Sequence, residues 1–201
     1  MKSVWFHLPL KSVEPNKIHR LFYPQVTVVL TSQFKGRIGG MAAIWCTPLS
    51  FKPPLIGVAI APGHETYRII NKAKAFAINF VDFHFAKQVA EMGEQSSKTL
   101  RNKLLTVGFD FRSGKATGQP LLRDAEATLE CRLLNRHRTG THELVIGEVV
   151  AAFANKSFRN YWDFSRYKPL LYAGTEDTNG KCWVFRSGSG QKTFVPSKDQ
   201  P

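Results

Sequence analysis

Two polar residues occupy positions where they could either bind a ligand or have only a structural role. Asn79 stands inside the apolar stretch 76–81, where a buried amide without hydrogen-bond partners costs about 1–3 kcal/mol. His142 closes the polar segment 136–142, between two stretches rich in apolar residues. A histidine can carry a proton near neutral pH, and an amide can bind a ligand or a backbone group. The residue types leave both assignments open, because a surface histidine and a self-satisfied amide fit equally well.

Other reactive constellations are absent from the sequence. Cys46, Cys131 and Cys182 are widely spaced and form no CxxC pair, which disfavours a disulfide framework or a zinc site. The remaining histidines lack metal-like spacing, and His64 is interpreted as a surface residue. No Ser-His-Asp arrangement indicates a catalytic triad. Neither GxGxxG nor GxxxxGK[ST] is present, so the sequence predicts neither a Rossmann fold nor a P-loop.

The composition predicts one globular domain. The 201 residues include 28 Lys and Arg against 15 Asp and Glu, a formal charge of +13, without a run of five like charges. The longest uncharged apolar stretch, 39–51, is shorter than the roughly 20 residues of a membrane span. The N-terminus is a poor signal peptide. We therefore expect a cytoplasmic protein that does not enter a membrane, with residues 1–186 as one domain and 187–201 as a flexible tail.

Short strands that mostly follow one another dominate the predicted elements. Strands are expected at 25–31, 41–45, 55–61, 76–81, 126–135, 143–153, 169–174 and 181–186, where β-branched and apolar residues cluster. Helices are expected at 66–75, with Thr66 as its N-cap, and after Asp82. The Gly-rich segment 34–40 predicts a turn, and 136–142 a hairpin connection. This order favours a mainly β, antiparallel barrel with a few peripheral helices.

An ordered series of short motifs runs through this predicted barrel. Small residues at 39–43 precede P-x-S-x-x-PP at 48–54, then Thr66 and Ile70, then F-x-I-N at 76–79. EATLECRL at 126–133, GTHELVIGEVVA at 140–151 and PLLYAG at 169–174 follow. In this order the motifs resemble the flavin reductase-like family, the FMN-binding split barrels, over roughly residues 20–175. The resemblance implies an antiparallel split β-barrel with an FMN site.

The resemblance places the flavin ring against the strand of small residues. A flat slot for the ring needs backbone N–H groups and small side chains that permit close approach. The wall is assigned to Met41, Ala42, Ala43, Ile44, Trp45, Cys46, Thr47 and Pro48. The alternative is a core strand beside a turn.

The flavin phosphate needs hydroxyl and N–H donors together with a cation. Ser50 and Thr66 could supply hydroxyls, and Lys52 or Arg68 the positive charge. Asn79 is assigned to a flavin carbonyl or ribityl hydroxyl, with a backbone group as its alternative partner. Thr66 and Arg68 also fit ordinary roles, as a helix cap and a solvated helix residue.

His142 is the one catalytic residue that the resemblance implies, because the family's corresponding histidine faces flavin or nicotinamide. Thr141 stands where the family usually has Asp. Hydride transfer from NADH or NADPH to flavin needs no protein nucleophile, so the protein's task is to stack and orient the two rings.

Three functions remain in view at this point. The resemblance favours an FMN-binding oxidoreductase that passes electrons from NADH or NADPH through flavin to free flavin, a ferric chelate or another acceptor, and it implies a homodimer. The second function is a non-enzymatic FMN-binding electron carrier, and the third a basic nucleic-acid-binding barrel. Because the Lys and Arg residues are scattered and do not interleave with aromatic residues, we do not expect nucleic acid as a partner.

Overall fold

The computed structural model describes residues 10–95, 100–176, 182–187 and 192–196. The strands in these residues are β1 Gln25–Val26, β2 Val28–Phe34, β3 Arg37–Ala43, β4 Cys46–Phe51, β5 Pro54–Ile60, β6 Ala75–Phe80, β7 Phe111–Ser113, β8 Pro120–Leu122, β9 Ala127–Thr139, β10 His142–Ala154, β11 Leu171–Glu176, β12 Cys182–Arg186 and β13 Lys192–Pro196. The α-helices are α1 Glu65–Ala73, α2 Ala86–Glu94 and α3 Lys103–Thr106, and 3-10 helices span Pro15–Phe22 and Phe83–Phe85.

A seven-stranded antiparallel sheet forms the body of the barrel, in the order β3-β2-β6-β9-β10-β5-β4. Its two edges, β3 and β4, follow one another in the chain and are joined by Ile44 and Trp45. The backbone N–H of Ala59 donates to the Trp45 carbonyl at 2.9 Å, which holds this link against β5. The sheet therefore stays open between β3 and β4. This opening confirms the predicted antiparallel split barrel.

Strand β3 separates two apolar cores because its side chains alternate between its faces. Ala43 faces the barrel interior, where Val28, Leu30 and Ile78 are buried. Ala42 and Ile44 face the opposite side, where Val29 packs with α2, α3 and the smaller sheet β1-β11-β12-β13. The small side chains of β3 thus let two layers approach one strand closely.

The hairpin between β9 and β10 is longer than the sequence predicts. Segment 136–142 was expected to be a connection, yet β9 continues to Thr139 and β10 begins at His142, so only Gly140 and Thr141 remain in the turn. Gly140 adopts a φ of +74°, which glycine permits at little cost. The Arg136 guanidinium donates to the Tyr67 hydroxyl at 2.8 Å, and that hydroxyl donates to Glu143 at 2.5 Å. These bonds tie the extended hairpin to α1.

Three other boundaries differ from expectation. Helix α1 begins at Glu65 with His64 at its N-cap, so Thr66 lies inside the first turn and is not the cap. The predicted turn 34–40 is confined to Lys35 and Gly36, because β3 already begins at Arg37. Within the expected tail, β13 pairs with β12 from Lys192 to Pro196. Residues 188–191 and 197–201 lie outside the described residues.

None of the helices in the described part of the chain has the length and apolar character that a membrane crossing requires.

Candidate functional site

A cavity of about 330 Å³ opens where the chain crosses between the two edge strands. We call it the His142 cavity. Its wall is formed by the end of β3, the link to β4, the end of β5, the loop before α1 and the first residue of β10. The lining residues are Met41, Ala42, Ala43, Ile44, Trp45, Ala59, Ile60, Ala61, His64 and His142. The structure thus brings together five of the residues assigned to the flavin wall and the predicted catalytic histidine.

His142 is held at the mouth of this cavity by its neighbours. Its ring centroid lies 4.7 Å from that of Trp45, with the two planes tilted by 50°. The Thr141 hydroxyl and the His142 Nδ1 are hydrogen-bonded at 2.9 Å, and the Thr139 hydroxyl donates to the His142 carbonyl at 3.0 Å. Among the described residues, Nε2 has no hydrogen-bond partner and is free for a ligand. Thr141 therefore orients the imidazole, although it lacks the carboxylate usual in the family.

The wall also offers backbone donors. Because β3 is an edge strand, every second N–H points away from β2. The Ile38 N–H group is one that points outward, away from β2, because it donates to the Arg101 carbonyl at 3.0 Å. Because the N–H direction repeats every two residues along a strand, the N–H groups of Gly40 and Ala42 point to the same outer edge. This pattern supplies the outward donors that a planar ligand with carbonyl groups needs.

His64 is exposed, as the sequence predicts for a surface residue, but it also belongs to this site. It precedes α1 and lines the His142 cavity. Its partial burial, followed by the positive charges of Lys103 and His142, lowers the pKa of His64 below its ordinary value. A neutral imidazole therefore predominates at pH 7. No local motif marks His64, because its place depends on how α1 folds back beside β3.

The remaining wall residues diverge from the His142 cavity. Cys46 and Thr47 line a neighbouring cavity of about 520 Å³, here called the Trp45 cavity, together with Trp45 and Ala59. Pro48 is exposed further along β4. Burial raises the pKa of the Cys46 thiol to about 12. The Cys46 thiol is therefore protonated at neutral pH, which disfavours a nucleophilic role.

The four residues assigned to the flavin phosphate do not line the His142 cavity. Ser50 pairs with Leu55, about 17 Å along β5 from Ile60, and Lys52 follows in the exposed turn. Thr66 is only 2% exposed. Arg68 is an exposed side chain 3.5 Å from Glu65. Of the four, Ser50 and Lys52 share one accessible hairpin, whereas Thr66 and Arg68 lie on α1.

Asn79 is satisfied within the protein, which agrees with the second of its two predicted roles. Its Nδ2 donates to the Val29 carbonyl at 3.0 Å and to the Thr31 hydroxyl at 3.1 Å. Its Oδ1 accepts from the Leu122 N–H at 2.9 Å. The side chain is 0% exposed. Because donor and acceptor are both occupied, Asn79 joins β2, β6 and β8 and has no surface for flavin.

Sequence comparison assigns this architecture to a family. A family model described as the flavin reductase like domain matches residues 19–180. An uncharacterized protein of Aeropyrum pernix is 35% identical over 158 residues, which are 78% of this chain and 60% of that protein. The chain thus spans less than two thirds of this relative's length. An NADH:riboflavin 5'-phosphate oxidoreductase of Streptomyces pristinaespiralis is 30% identical over 128 residues, 62% of this chain and 68% of that protein.

A solved structure supports the same assignment over the whole chain. The FMN-binding protein of Thermus thermophilus, determined with bound p-hydroxybenzaldehyde, superposes with a TM-score of 0.67 at 26% identity and covers 100% of this chain and 99% of its own. The open barrel, the site at its seam and these matches lead to one conclusion: the chain belongs to the flavin reductase-like family.

Proposed function

We propose that this protein is an FMN-dependent oxidoreductase that passes electrons from NADH or NADPH through flavin to free flavin, a ferric chelate or another acceptor. The observation that carries this proposal is the convergence of His142, Trp45 and the free edge of β3 around one open cavity. Family membership gives this convergence its meaning, since a family model for flavin reductases covers residues 19–180.

The residues present fit a flavin ring. Ala42, Ala43, Ala59 and Ala61 leave room for a flat body close to the backbone, and the outward N–H group of Ala42 matches the ring's carbonyl edge. When bound, flavin would supply the hydride acceptance from the nicotinamide and the onward transfer of electrons. The chain's own contribution is to hold the two rings in contact and exclude water between them.

His142 is proposed to position the nicotinamide. Thr141 bonds Nδ1, which leaves Nε2 directed to a ligand. Trp45, 4.7 Å away between ring centroids, limits the directions in which the imidazole can turn. The residue therefore acts as an orienting hydrogen-bond group and not as a nucleophile.

Ser50 and Lys52 are proposed as the phosphate contacts. They are the two members of the predicted set that share one accessible hairpin, between β4 and β5, whereas the exposed Arg68 lies on α1. The Trp45 cavity lies along the same face between them and the His142 cavity. This arrangement lets an elongated ligand reach from the ring site to the hairpin.

We also propose a homodimer in the cytoplasm. The 3-10 helix Pro15–Phe22 contains no buried residue, and it exposes Ile18, Leu21 and Phe22 by 48%, 66% and 69%. Ile18 and Phe22 also line the Trp45 cavity. A second copy covering this helix would bury its apolar side chains and enclose the flavin site.

Named relatives support the choice of cofactor and donor. The Streptomyces pristinaespiralis relative is named for NADH and riboflavin 5'-phosphate, and the Thermus thermophilus protein for FMN. An electron carrier would use the same flavin site without oxidising NADH or NADPH.

An anaerobic titration tests this function. The purified protein, loaded with FMN, is mixed with NADH or NADPH while the visible flavin band is followed. Rapid bleaching supports the reductase, whereas a stable band with either nucleotide identifies the carrier. Absence of FMN binding overturns the proposal. His142→Ala should slow bleaching while FMN affinity stays within about threefold, and His137→Ala, on the same exposed hairpin, is the matched control.

A further inference from the structure

The hairpin that carries His142 extends beyond the strands that flank it. The pairing of β9 with β6 ends at Arg132, and the pairing of β10 with β5 ends at Glu143. Beyond these points each of the two strands has only the other as a neighbour among the described strands, and residues 134–141 are exposed. His142 thus lies one residue past the last contact of β10 with β5. Another contact must hold this end of the hairpin if the imidazole is to keep one position.

Three hydrogen-bonded side chains, here called the Tyr67 cluster, tie this end of the hairpin to α1. Tyr67 lies in the first turn of α1, packs its ring in the barrel core and is only 6% exposed. Its hydroxyl accepts from the Arg136 guanidinium at 2.8 Å and donates to the Glu143 carboxylate at 2.5 Å. The charged groups of Arg136 and Glu143 also approach within 3.6 Å. The cluster therefore joins α1, β9 and β10.

The Tyr67 cluster differs from an ordinary surface ion pair. An exposed pair contributes little, because two long side chains must be held in one geometry while water screens their charges. In this cluster the tyrosine hydroxyl lies between a cation and an anion, so both of its hydrogen bonds are charge-assisted and each polarises the other. The guanidinium also lies 6.0 Å from the centroid of the Tyr67 ring. A ring fixed in the core thus determines where both charged groups lie.

Glu143 connects this cluster to the His142 cavity. Successive residues of a strand direct their side chains to opposite faces, so Glu143 reaches Tyr67 while His142 reaches the cavity. A movement of Glu143 away from α1 would carry His142 with it, because the two residues are adjacent in the chain. His64, three residues before Tyr67, lines the same cavity from the N-cap of α1. The cluster therefore fixes the two histidine-bearing segments relative to each other.

We propose that Tyr67, acting through Glu143, is a positioning residue that fixes the place of His142 at the flavin wall. This role rests on the function proposed above for His142, which is to orient the nicotinamide. Tyr67 does not line the His142 cavity, and its hydroxyl already donates one hydrogen bond and accepts another. The Thr141 bond limits the rotation of the imidazole, whereas the Tyr67 cluster sets its location. Such control matters because a displacement of about 1 Å can lower a rate about 100-fold.

Stopped-flow reduction of the FMN-loaded protein by NADH or NADPH tests this role in two backgrounds. Tyr67→Phe keeps the ring in the core and removes only the hydroxyl. It should slow flavin reduction about fivefold to tenfold and leave FMN affinity within about threefold. In the His142→Ala background the same substitution should change the rate by less than about twofold, because the residue that it positions is gone. Equal slowing in both backgrounds, or slowing in neither, would overturn the proposal.

Variants of Glu143 test the same connection, and they replace Tyr67→Phe in both backgrounds if that variant fails to fold. Glu143→Gln keeps an oxygen that accepts from the Tyr67 hydroxyl, so its rate should stay within about threefold of the unmodified protein. Glu143→Ala should slow reduction about as much as Tyr67→Phe. Tyr161→Phe is the matched control, because it removes the hydroxyl of a tyrosine that is 71% exposed, and it should change nothing. Equal rates in Glu143→Gln and Glu143→Ala would contradict the proposed connection.

Proton NMR of the protein without flavin or nucleotide separates this proposal from the proposed function. The ring signal of His142 is identified by its loss in His142→Ala. Tyr67→Phe should shift that signal, because the imidazole moves relative to the Trp45 ring, 4.7 Å away between centroids, whereas Tyr161→Phe should not. An unchanged His142 signal in Tyr67→Phe would overturn the positioning role, whether or not the protein reduces flavin. A shifted signal in a protein that neither nucleotide reduces would support the positioning contact and overturn the reductase.

Discussion

The two cavities beside β3 differ in how their titratable side chains are supported by neighbouring residues. His142 lies at an open seam, and the Thr141 hydroxyl bonds its ring. Lys103 is 5% exposed and lines the cavity between β3, α2 and the aromatic residues of the smaller sheet, with no side-chain hydrogen bond or ion pair to the described residues. At an open site, a single hydrogen bond can position a side chain, because water solvates the polar atoms that have no partner in the protein. A largely buried charge without a partner lowers stability, and such a cost is typical of residues retained for binding.

The largest expected effects come from filling each cavity separately. Ala61 lines the His142 cavity, whereas Ala90 lines the cavity between β3 and α2 that contains Lys103 and does not line the His142 cavity. Ala61→Leu should weaken FMN about 100-fold by occupying the ring's space, whereas Ala90→Leu should change FMN by less than about threefold. Fluorescence titration with FMN measures both. If the two variants behave alike, the cavities are not independent.

Removing the buried charge should stabilise the fold. Lys103→Met should raise the free energy of unfolding at pH 7 by about 1–3 kcal/mol, because the desolvated ammonium disappears. The folded pKa of about 8 lies below the ordinary 10.5, so the unfolded chain binds more protons between these values. The free energy of unfolding of the unmodified protein therefore rises between pH 8 and pH 10.5, and its difference from that of the variant becomes smaller.

Thermal denaturation at pH 7 and pH 10 measures that deficit. Lys87→Met is the control, because its lysine is already solvated. A lower melting temperature for Lys103→Met at pH 7 would show that Lys103 has a stabilising partner after all.

The hairpin that carries the proposed phosphate contacts should discriminate between two flavins. Ser50→Ala combined with Lys52→Ala should weaken FMN by about tenfold and leave riboflavin unchanged, because riboflavin lacks the phosphate. Arg68→Ala on α1 provides the comparison, and it should affect neither flavin. Parallel loss of FMN and riboflavin affinity would mean that the hairpin shapes the ring site.

The smallest expected effect concerns the support of His142. Thr141→Val keeps the shape of the side chain and removes the hydrogen bond to Nδ1. Flavin reduction by NADH should slow by about threefold to tenfold, since one neutral hydrogen bond contributes about 0.5–1.5 kcal/mol, while FMN affinity holds. Stopped-flow absorbance gives the rate. A rate equal to that of the unmodified protein would show that Trp45 alone orients the ring.

Local pattern predicts the strands well and the partners of single residues poorly. Strand β5 begins and ends within one residue of its predicted bounds, because an apolar run after a double proline identifies it. Asn79 could not be assigned in the same way. Its partners Val29, Thr31 and Leu122 lie more than forty positions away in the chain, and their approach is set by strand order.

In the site, too, residues that stand in local motifs were predicted, whereas residues placed there by tertiary folding were not. The resemblance implied that His142 faces flavin or nicotinamide, and the structure places His142 in one cavity with the small-residue wall assigned to flavin. The hydroxyl donors that a phosphate needs grouped Thr66 with Ser50, yet Thr66 is buried in α1. His64 and Lys103 were missed because neither stands in a motif. Each becomes conspicuous only when a helix places it against β3.

The two edge strands of the barrel have a practical consequence for handling the protein. Strands β3 and β4 end the seven-stranded sheet, and edge strands are templates on which other chains can add. Flavin bound against β3 would cover part of one edge. Preparations stripped of cofactor should therefore form aggregates at lower concentration than loaded ones, and adding FMN during purification should improve yield without any change in sequence.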